Sequence, residues 1–496
     1  MPRTLSLPMI FALSFGTIIG VGWITVLGSW LSGAGSIGAI TAFTVGGLLI
    51  IMIALAYAEV ALMFPVSGGE VAYAYRMFGT FTGFIVGWFL ALSYISTCSF
   101  EAVSIAWLTD AILPDGKGQV LYSVGGEDVY LRTIIVAFFG TAIIALTNYL
   151  GAKTASTVQL FMVGALVIAS VVFAAMALTS GEVENVKPLF SEAQQSKTGL
   201  LSPALMGVLG VIATTPFWYA GFDTIPQAMG EIKEDVKPRS LVVVIMASIA
   251  AAIVFYAVII MASSLSAPRD MLLDADLPAA YAMEQAFQSK AGRNFVLGIG
   301  LCGLISTWNA IFFAATRVIY TLSKARFLPP VFSIISNRYG TPSTSILFVS
   351  FVSFLGAMIG KTAVSIVVDL SALILSVIFL AIVFGVIQLR RTAPDLPRPF
   401  LAPFGSVGLY AALISAILVF AIAGMQFLGA ALSGDLMRPS ILIGWGIIGI
   451  FFWQLSSNVR KGLSKTLRDN LLLESDVDLM TDHSVSSRAA RVQPSE

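Results

Sequence analysis

An all-α integral membrane protein of about twelve transmembrane helices is the fold class that the sequence predicts, and three observations carry it. Hydrophobic residues make up 57% of the chain and charged residues 11%, with a mean hydropathy of +0.90, a balance outside the range of water-soluble chains. A bilayer core is crossed by about 20 apolar residues of helix, and the 55 residues from Thr4 to Ala58 hold no Lys, Arg, Asp or Glu, enough for two crossings. The apolar residues also come in long unbroken runs, without the strict alternation of barrel strands.

In order, the windows run over 5–31, 38–64, 82–109, 131–150, 154–179, 203–230, 240–266, 294–323, 343–360, 362–389, 404–430 and 438–457. The first is too long for a secretory leader, lacks a small-residue cleavage site and runs straight into the second, so it is expected to stay in the protein. The long connectors are 110–130, 180–202 and 267–293. In the last of these, "RDMLLDADLPAAYAMEQAFQ" has the periodicity of a short surface helix, a lid or a spacer. With the N-terminus placed in the cytoplasm, 18 of the 28 basic residues fall on the cytoplasmic side, nine outside, and Arg317 within span eight. That bias predicts a multi-pass protein of the plasma or inner membrane with both termini inside. In the tail, 458–496, Leu463, Leu467 and Leu471 recur at four-residue intervals among Lys and Arg, which predicts a helix lying on the inner leaflet ahead of a disordered end.

Composition excludes several functions. Cys98 and Cys302 both fall inside spans, so no disulfide framework is expected. The sole histidine, His483, lies in the tail, which leaves no imidazole in the membrane for zinc, haem or a proton relay. No Gly-x-x-x-x-Gly-Lys-Ser/Thr loop occurs, and the net charge is +1, so neither direct use of ATP nor a nucleic-acid partner is expected. The chain reads as no enzyme, with no cofactor and no metal site; the bilayer and a small amino compound are its expected partners.

Two spans carry residues that interrupt a helix. Span one reads "FGTIIGVGWI", with Gly16, Gly20 and Gly22, and span six reads "LGVIATTPFWYAGFDTIPQAMGE", with Pro216, Gly221 and Asp223. Gly20 and Gly221 stand 201 residues apart and divide the chain into spans one to five and six to ten. Five is odd, so a shared fold requires the second unit, about 203–390, to enter the membrane opposite to the first, about 5–179. This is the inverted repeat of many secondary transporters, in which broken helices meet at mid-membrane and line a cavity with backbone groups. Residues 1–390 would form the transport core and 391–457 two additional C-terminal spans.

The residues also resemble a known family. "GTIIGVGWI" is similar to the first-helix motif of amino acid permeases of the amino acid, polyamine and organocation (APC) superfamily. "PFWYAGFDTI" with "GEIKEDVKPRS" resembles their sixth helix and the following loop, and "AATRVIYTLSKARFLP" and "RYGTPSTSILF" resemble helix eight and the entry to helix nine. The resemblance covers about residues 5–430 and implies a LeuT-like five-plus-five fold with helices one and six discontinuous. It implies that the amides of Gly20, Val21 and Gly22 receive a substrate carboxylate, that the carbonyls of Ile18, Phe217 and Ala220 receive an ammonium group beside Gly221, and that Phe217 is the gate. The positive end of a half-helix independently permits the first of these roles. Many relatives carry serine where Val21 stands, and some carry a lysine eight residues after the valine of a motif like "STVQ", where this chain has Leu166.

Packing is the competing role for several of these groups: Gly16-x-x-x-Gly20 alone would only let a neighbouring helix approach. An ionised side chain at mid-membrane costs about 2.5 to 3.5 kcal/mol even on the mildest scale, so acids inside spans mark either pairs or function. Glu59 is expected to be structural, Glu70 and Asp110 interfacial with Arg317 a partner for one of these acids, and Asp369 is left open. Glu101 either pairs with Arg317 or a hydroxyl, or serves substrate or proton. Asp223 either holds the half-helix that begins at Thr224 or faces the cavity. A coupling proton on Glu101 or Asp223, or sodium between spans one and eight with Thr316 as ligand, are both open. The expected function is a secondary amino acid permease working by alternating access, through ion-coupled symport or exchange. An amine or polyamine carrier and a non-transporting receptor or scaffold are the alternatives.

Overall fold

The computed structural model describes residues 3–113, 118–191 and 201–473, and about four fifths of them are helical. Helix α1 (Leu7–Ile18) begins after Ser6 with Pro8 in its first turn, where a missing amide hydrogen costs nothing. The helix stops at Ile19 and the chain resumes as α2 (Gly22–Thr25) and α3 (Leu27–Ala34). Gly35, at φ +77°, turns the chain into α4 (Ser36–Met63); a side chain there would lie 2.8 Å from the backbone of Leu189 and Phe190. The short α5 (Glu70–Phe78) leads to α6 (Thr80–Ile112), an antiparallel hairpin of β1 (Val120–Val124) and β2 (Glu127–Tyr130), α7 (Leu131–Tyr149) and α8 (Ala152–Ser180).

The sixth expected span is three pieces, α9 (Pro203–Ile212), α10 (Thr215–Trp218) and α11 (Thr224–Ala228). Pro216 is not itself the break, for it sits in the first turn of α10; the chain departs from helix on either side of it, at 213–214 and 219–223. After α12 (Pro238–Ser266), the connector expected to hold one surface helix holds two, α13 (Arg269–Asp274) and α14 (Pro278–Phe287), and Leu272 and Met283 are buried. Then follow α15 (Lys290–Lys324), α16 (Ser343–Ala357), α17 (Ala363–Thr392), α18 (Gly405–Leu432), α19 (Met437–Leu455), α20 (Ser457–Gly462) and α21 (Lys465–Leu473).

Among the described residues ten segments are long and apolar enough to cross a bilayer, with α1 and α2 taken together. The other two expected crossings are the pieces α9 to α11 and the 15-residue α16. At about 1.5 Å per residue α16 spans less than the roughly 30 Å of a hydrocarbon core. Helices α6 and α15 are buried along most of their length at the centre of the bundle. The outer helices α7, α8 and α18 turn Phe139, Phe161 and Leu428 outward, as a lipid-facing surface does. Helix α19 is held by a reciprocal pair: the Trp88 indole donates to the Trp445 carbonyl at 2.8 Å, and the Trp445 indole to the Trp88 carbonyl at 2.9 Å.

Several charged residues have partners other than those expected. Arg317 binds none of the acids proposed for it; its guanidinium pairs with Glu231 at 2.9 Å, both side chains 1% exposed. Glu59 instead holds Arg390 and accepts the Ala402 amide at 2.9 Å, Asp110 holds Arg132 at 2.7 Å, and Asp369 holds Arg438 at 3.0 Å. Glu70 is fully buried at the start of α5. In the tail, α21 docks on the protein: Arg468 and Leu472 are buried, Leu467 is turned outward, and the Tyr75 hydroxyl donates to Asp469 at 2.6 Å. The tail beyond 473, with His483, lies outside the described residues.

Candidate functional site

The two chain breaks meet. Gly221 has φ +147°, open to glycine alone at little cost, and a β-carbon there would fall 2.8 Å from the Ile18 amide nitrogen and the Ser14 carbonyl. Glycine thus lets one broken backbone lie directly on the other. Tyr256 of α12 spans the junction, its hydroxyl 2.9 Å from the Ile18 carbonyl and 3.2 Å from that of Trp218. Within the first break the amides of Gly20, Val21 and Gly22 donate to no backbone carbonyl among the described residues. Such orphan groups in a bundle interior require a partner.

A cavity lies against this junction. Its wall holds Ile18, Gly20 and Gly22 from the first break, Phe217 and Ala220 from the second, and Glu101 and Tyr94 from α6. Its volume of about 20 Å³ is room for about one water molecule. Phe217 forms one side with Phe100 (ring centroids 6.0 Å apart) and Trp218 (4.8 Å). A β-carbon on Gly20 would stand 2.9 Å from both Glu101 Oε1 and Thr307 Oγ1, and one on Gly22 would enter the Trp218 ring. Glu101 is 1% exposed, and its Oε2 has no hydrogen-bond partner among the described residues. It does not pair with Arg317.

The other sequence-selected residues fall outside the cavity wall. Val21 and Gly221 are buried behind it. Asp223 is fully buried, but its carboxylate caps no amide of α11; Oδ1 accepts the Gly221 amide at 2.7 Å and Oδ2 accepts the Tyr94 hydroxyl at 2.7 Å. It touches the cavity only through Tyr94. The carbonyls of Ile18 and Phe217 already accept one bond each, from Tyr256 and from the Ala220 amide at 3.1 Å. Thr316 is not brought to the first break: its hydroxyl donates to the Phe313 carbonyl and accepts from Arg317.

The contact between α1 and α15 is made nine residues earlier. Thr307 donates to the Gly16 carbonyl at 2.7 Å, Ser306 lies 3.2 Å from the same oxygen, and Gln159 of α8 donates to Ser306 at 2.8 Å and to the Ala12 carbonyl at 3.1 Å. Asn309 donates in turn to the Gln159 side chain (3.2 Å) and the Ala155 carbonyl, and accepts from Asn148 at 3.1 Å. This buried net of neutral side chains joins α1, α7, α8 and α15. Leu166 packs beside Gly303, where the Gly20 carbonyl approaches. Tyr94, Gln159, Tyr256, Ser306 and Thr307 were not selected from sequence; the one signal available was polarity inside otherwise apolar runs, at Gln159 and at the adjacent Ser306 and Thr307.

Residues 5–453 match the family described as amino acid permease. The branched-chain amino acid permease BcaP of Bacillus subtilis (strain 168) is 26% identical over 414 residues, 79% of this chain and 82% of that protein. The methylthioribose transporter of the same organism is 23% identical over 412 residues, 81% and 84% of the two chains. The cystine/glutamate transporter of Homo sapiens is 25% identical over 401 residues, 78% and 74%.

Proposed function

The chain belongs to the amino acid permease family, a family of multi-pass membrane transporters and not of enzymes, and from that premise we propose that it is a secondary transporter that moves an amino acid across the membrane by alternating access. One observation carries the reading: two broken helices meet at a cavity, and among the described residues the amides of Gly20, Val21 and Gly22 beside it have no backbone acceptor. In this reading the amides of Gly20 to Gly22 receive the carboxylate, the Ala220 carbonyl and the second lone pairs at Ile18 and Phe217 receive the ammonium, Gly221 lets the breaks touch, and Phe217 is the gate. A cavity of about 20 Å³ has no room for an amino acid, so in this reading the helices must part to load it.

The same reading makes residues 5–179 and 203–390 two inverted repeats, with 391–457 added and both termini cytoplasmic, in a plasma or inner membrane. Helix packing supports it: α6 lies along α15 and α4 along α12, which pairs the third crossing with the eighth and the second with the seventh. Glu101 and Asp223 are candidate coupling carboxylates of this reading, with sodium, held by Thr316 or by the Ser306–Thr307 contact, as the rival. The unpartnered Glu101 favours a second reading, an amine carrier, because an acid on the wall suits a cation that brings no carboxylate of its own.

The test is uptake of labelled L-leucine by proteoliposomes under a proton or a sodium gradient, with other amino acids and isoamylamine as competitors. Accumulation above the external concentration supports transport; saturation at one ligand per protein would leave a receptor or scaffold. Stronger competition by isoamylamine than by leucine would leave the amine carrier.

A further inference from the structure

Behind Tyr94, on the face where α1 begins, lies a second set of buried polar groups. Glu70, the first residue of α5, and Asp223, at the start of α11, are both fully buried, and among the described residues neither forms an ion pair with a Lys or Arg. The groups facing them are Tyr57 on α4, Tyr73 on α5, Tyr94 on α6 and Gln227 on α11. On α15 the guanidinium of Arg317 is committed to Glu231, and α17 contributes the apolar ring of Phe379 against Tyr57. Two bare carboxylates enclosed in this way repel each other and lose hydration.

Their bonding separates them. Asp223 accepts two donors, the Gly221 amide and the Tyr94 hydroxyl, as an ionised acid does. Glu70 accepts one, the Gln227 amide nitrogen on Oε2, while its Oε1 is buried without a partner. Gln227 Oε1 is likewise buried without a donor, on a side chain with no exposed surface. One proton placed on Glu70 Oε1 supplies both needs: the carboxyl becomes a donor, the amide oxygen is its acceptor, and acid and amide close a two-bond pair. The same proton removes the like-charge repulsion with Asp223.

We infer that Glu70 and Gln227 form a proton-binding site, with Glu70 neutral and Asp223 charged while α11 is docked. Binding takes one proton from water onto one carboxylate oxygen and needs no other reactant. Gln227 and Asp223 both ride on the sixth broken span, and Glu70 stands on α5, so the proton is held only while α11 is docked. Movement of α11 strips Glu70 of its amide and returns the proton to water. This deepens the transport reading and rests on it, assigning the coupling ion as a proton and its seat as a residue outside the substrate cavity.

Infrared difference spectroscopy of the purified full chain reads the proton without any substrate. Wild type minus Glu70→Gln should show the carbonyl stretch of one neutral, buried carboxyl at neutral pH, and Gln227→Leu should move that band to higher frequency as the amide bond is lost. No band in the difference spectrum, from folded wild type and variant, overturns the proposal. If Glu70→Gln does not fold, an unshifted spectrum in Gln227→Leu overturns it instead. In proteoliposomes Glu70→Gln should lose proton-driven leucine accumulation, the internal-to-external ratio falling to one, while leucine exchange across the membrane continues. Undiminished accumulation in that variant would also overturn the assignment. Failure of wild type to move leucine, with the infrared band present, strikes the transport reading and leaves the proton site standing.

Discussion

A carbon atom added to Gly221 would fall 2.8 Å from the amide nitrogen of Ile18, so the two broken helices touch through the one residue type that has no side chain. Gly221→Ala also forces φ +147° on an L-residue, a cost of about 1–3 kcal/mol before any clash. The variant should lower the melting temperature and abolish leucine-dependent stabilisation. Gly405→Ala, at φ +58° with nothing within 4 Å, carries the backbone strain alone and should leave ligand binding intact. Equal effects of the two substitutions would detach Gly221 from the site.

Gly20→Leu should yield a folded, membrane-inserted protein without ligand-dependent stabilisation. Its side chain would have to displace Glu101 and Thr307, whose oxygens stand 2.9 Å from the first added carbon. Leucine affinity retained in detergent would reduce these glycines to packing.

Phe217→Ala opens the side of the cavity formed with Phe100 and Trp218. Initial leucine uptake should fall about tenfold, which corresponds to about 1.4 kcal/mol of lost barrier control. Unchanged uptake kinetics would remove the ring from the gate.

Glu101→Gln keeps size and removes charge. For an amino acid substrate, leucine affinity should change little, because amides and carbonyls hold both ends of a zwitterion, while accumulation should fall in this variant or in Asp223→Asn. If wild type prefers isoamylamine to leucine and Glu101→Gln erases that preference, the substrate is an amine.

Gln159→Leu withdraws the amide that Ser306 and Asn309 share with the Ala12 carbonyl. Each buried group left without a partner costs about 1–3 kcal/mol, so the melting temperature should drop by several degrees. Gln159→Glu, which reverses one donor into an acceptor, should be worse. A neutral outcome in Gln159→Leu would mean that the net contributes no stability.

The pH behaviour of the tail is set by Tyr75. Burial first, then the bond to Asp469, push its phenol up to about 12. The folded value lies above the unfolded value of about 10, so the neutral donor and its stabilisation are fully present below pH 10 and fade as pH rises through 12. Hydrogen exchange of Lys465–Leu473 should therefore be protected equally from pH 6 to 9 once corrected for intrinsic rates, and Tyr75→Phe should weaken protection about fivefold, for a bond of about 1 kcal/mol. A pH-dependent release across that window would assign the docking to other groups.

The breaks were legible because glycine and proline mark departures from helix locally, and their neighbours Ile18, Gly20, Gly22, Phe217 and Ala220 line the cavity as a result. Glu101 was legible because an acid in an apolar run is rare. Continuous helices hide their contribution, since which face turns inward depends on tertiary rotation; Tyr94 and Tyr256 look like any buried aromatic. Thr316 shares a helix with Thr307 but stands nine residues beyond it, about 14 Å along the axis and two and a half turns around it, a separation that the sequence alone does not relate to the first break. Arg317 was misassigned because its partner, Glu231, is 86 residues away, and nothing local in a sequence encodes that distance.

Before α1 begins, the amides of Thr4 and Leu5 converge on the Glu231 carbonyl at 2.9 and 3.0 Å, and the Lys233 amide returns a bond to the Leu5 carbonyl at 3.1 Å. The Glu231 side chain is in turn fastened to Arg317 on α15. On this face the start of the first broken helix and the end of the second are spliced like two ropes tied to one cleat. Neither can swing outward alone without tearing backbone bonds, so a passage opening here must carry both ends away together, and to part them from α15 it must also cast off the arginine.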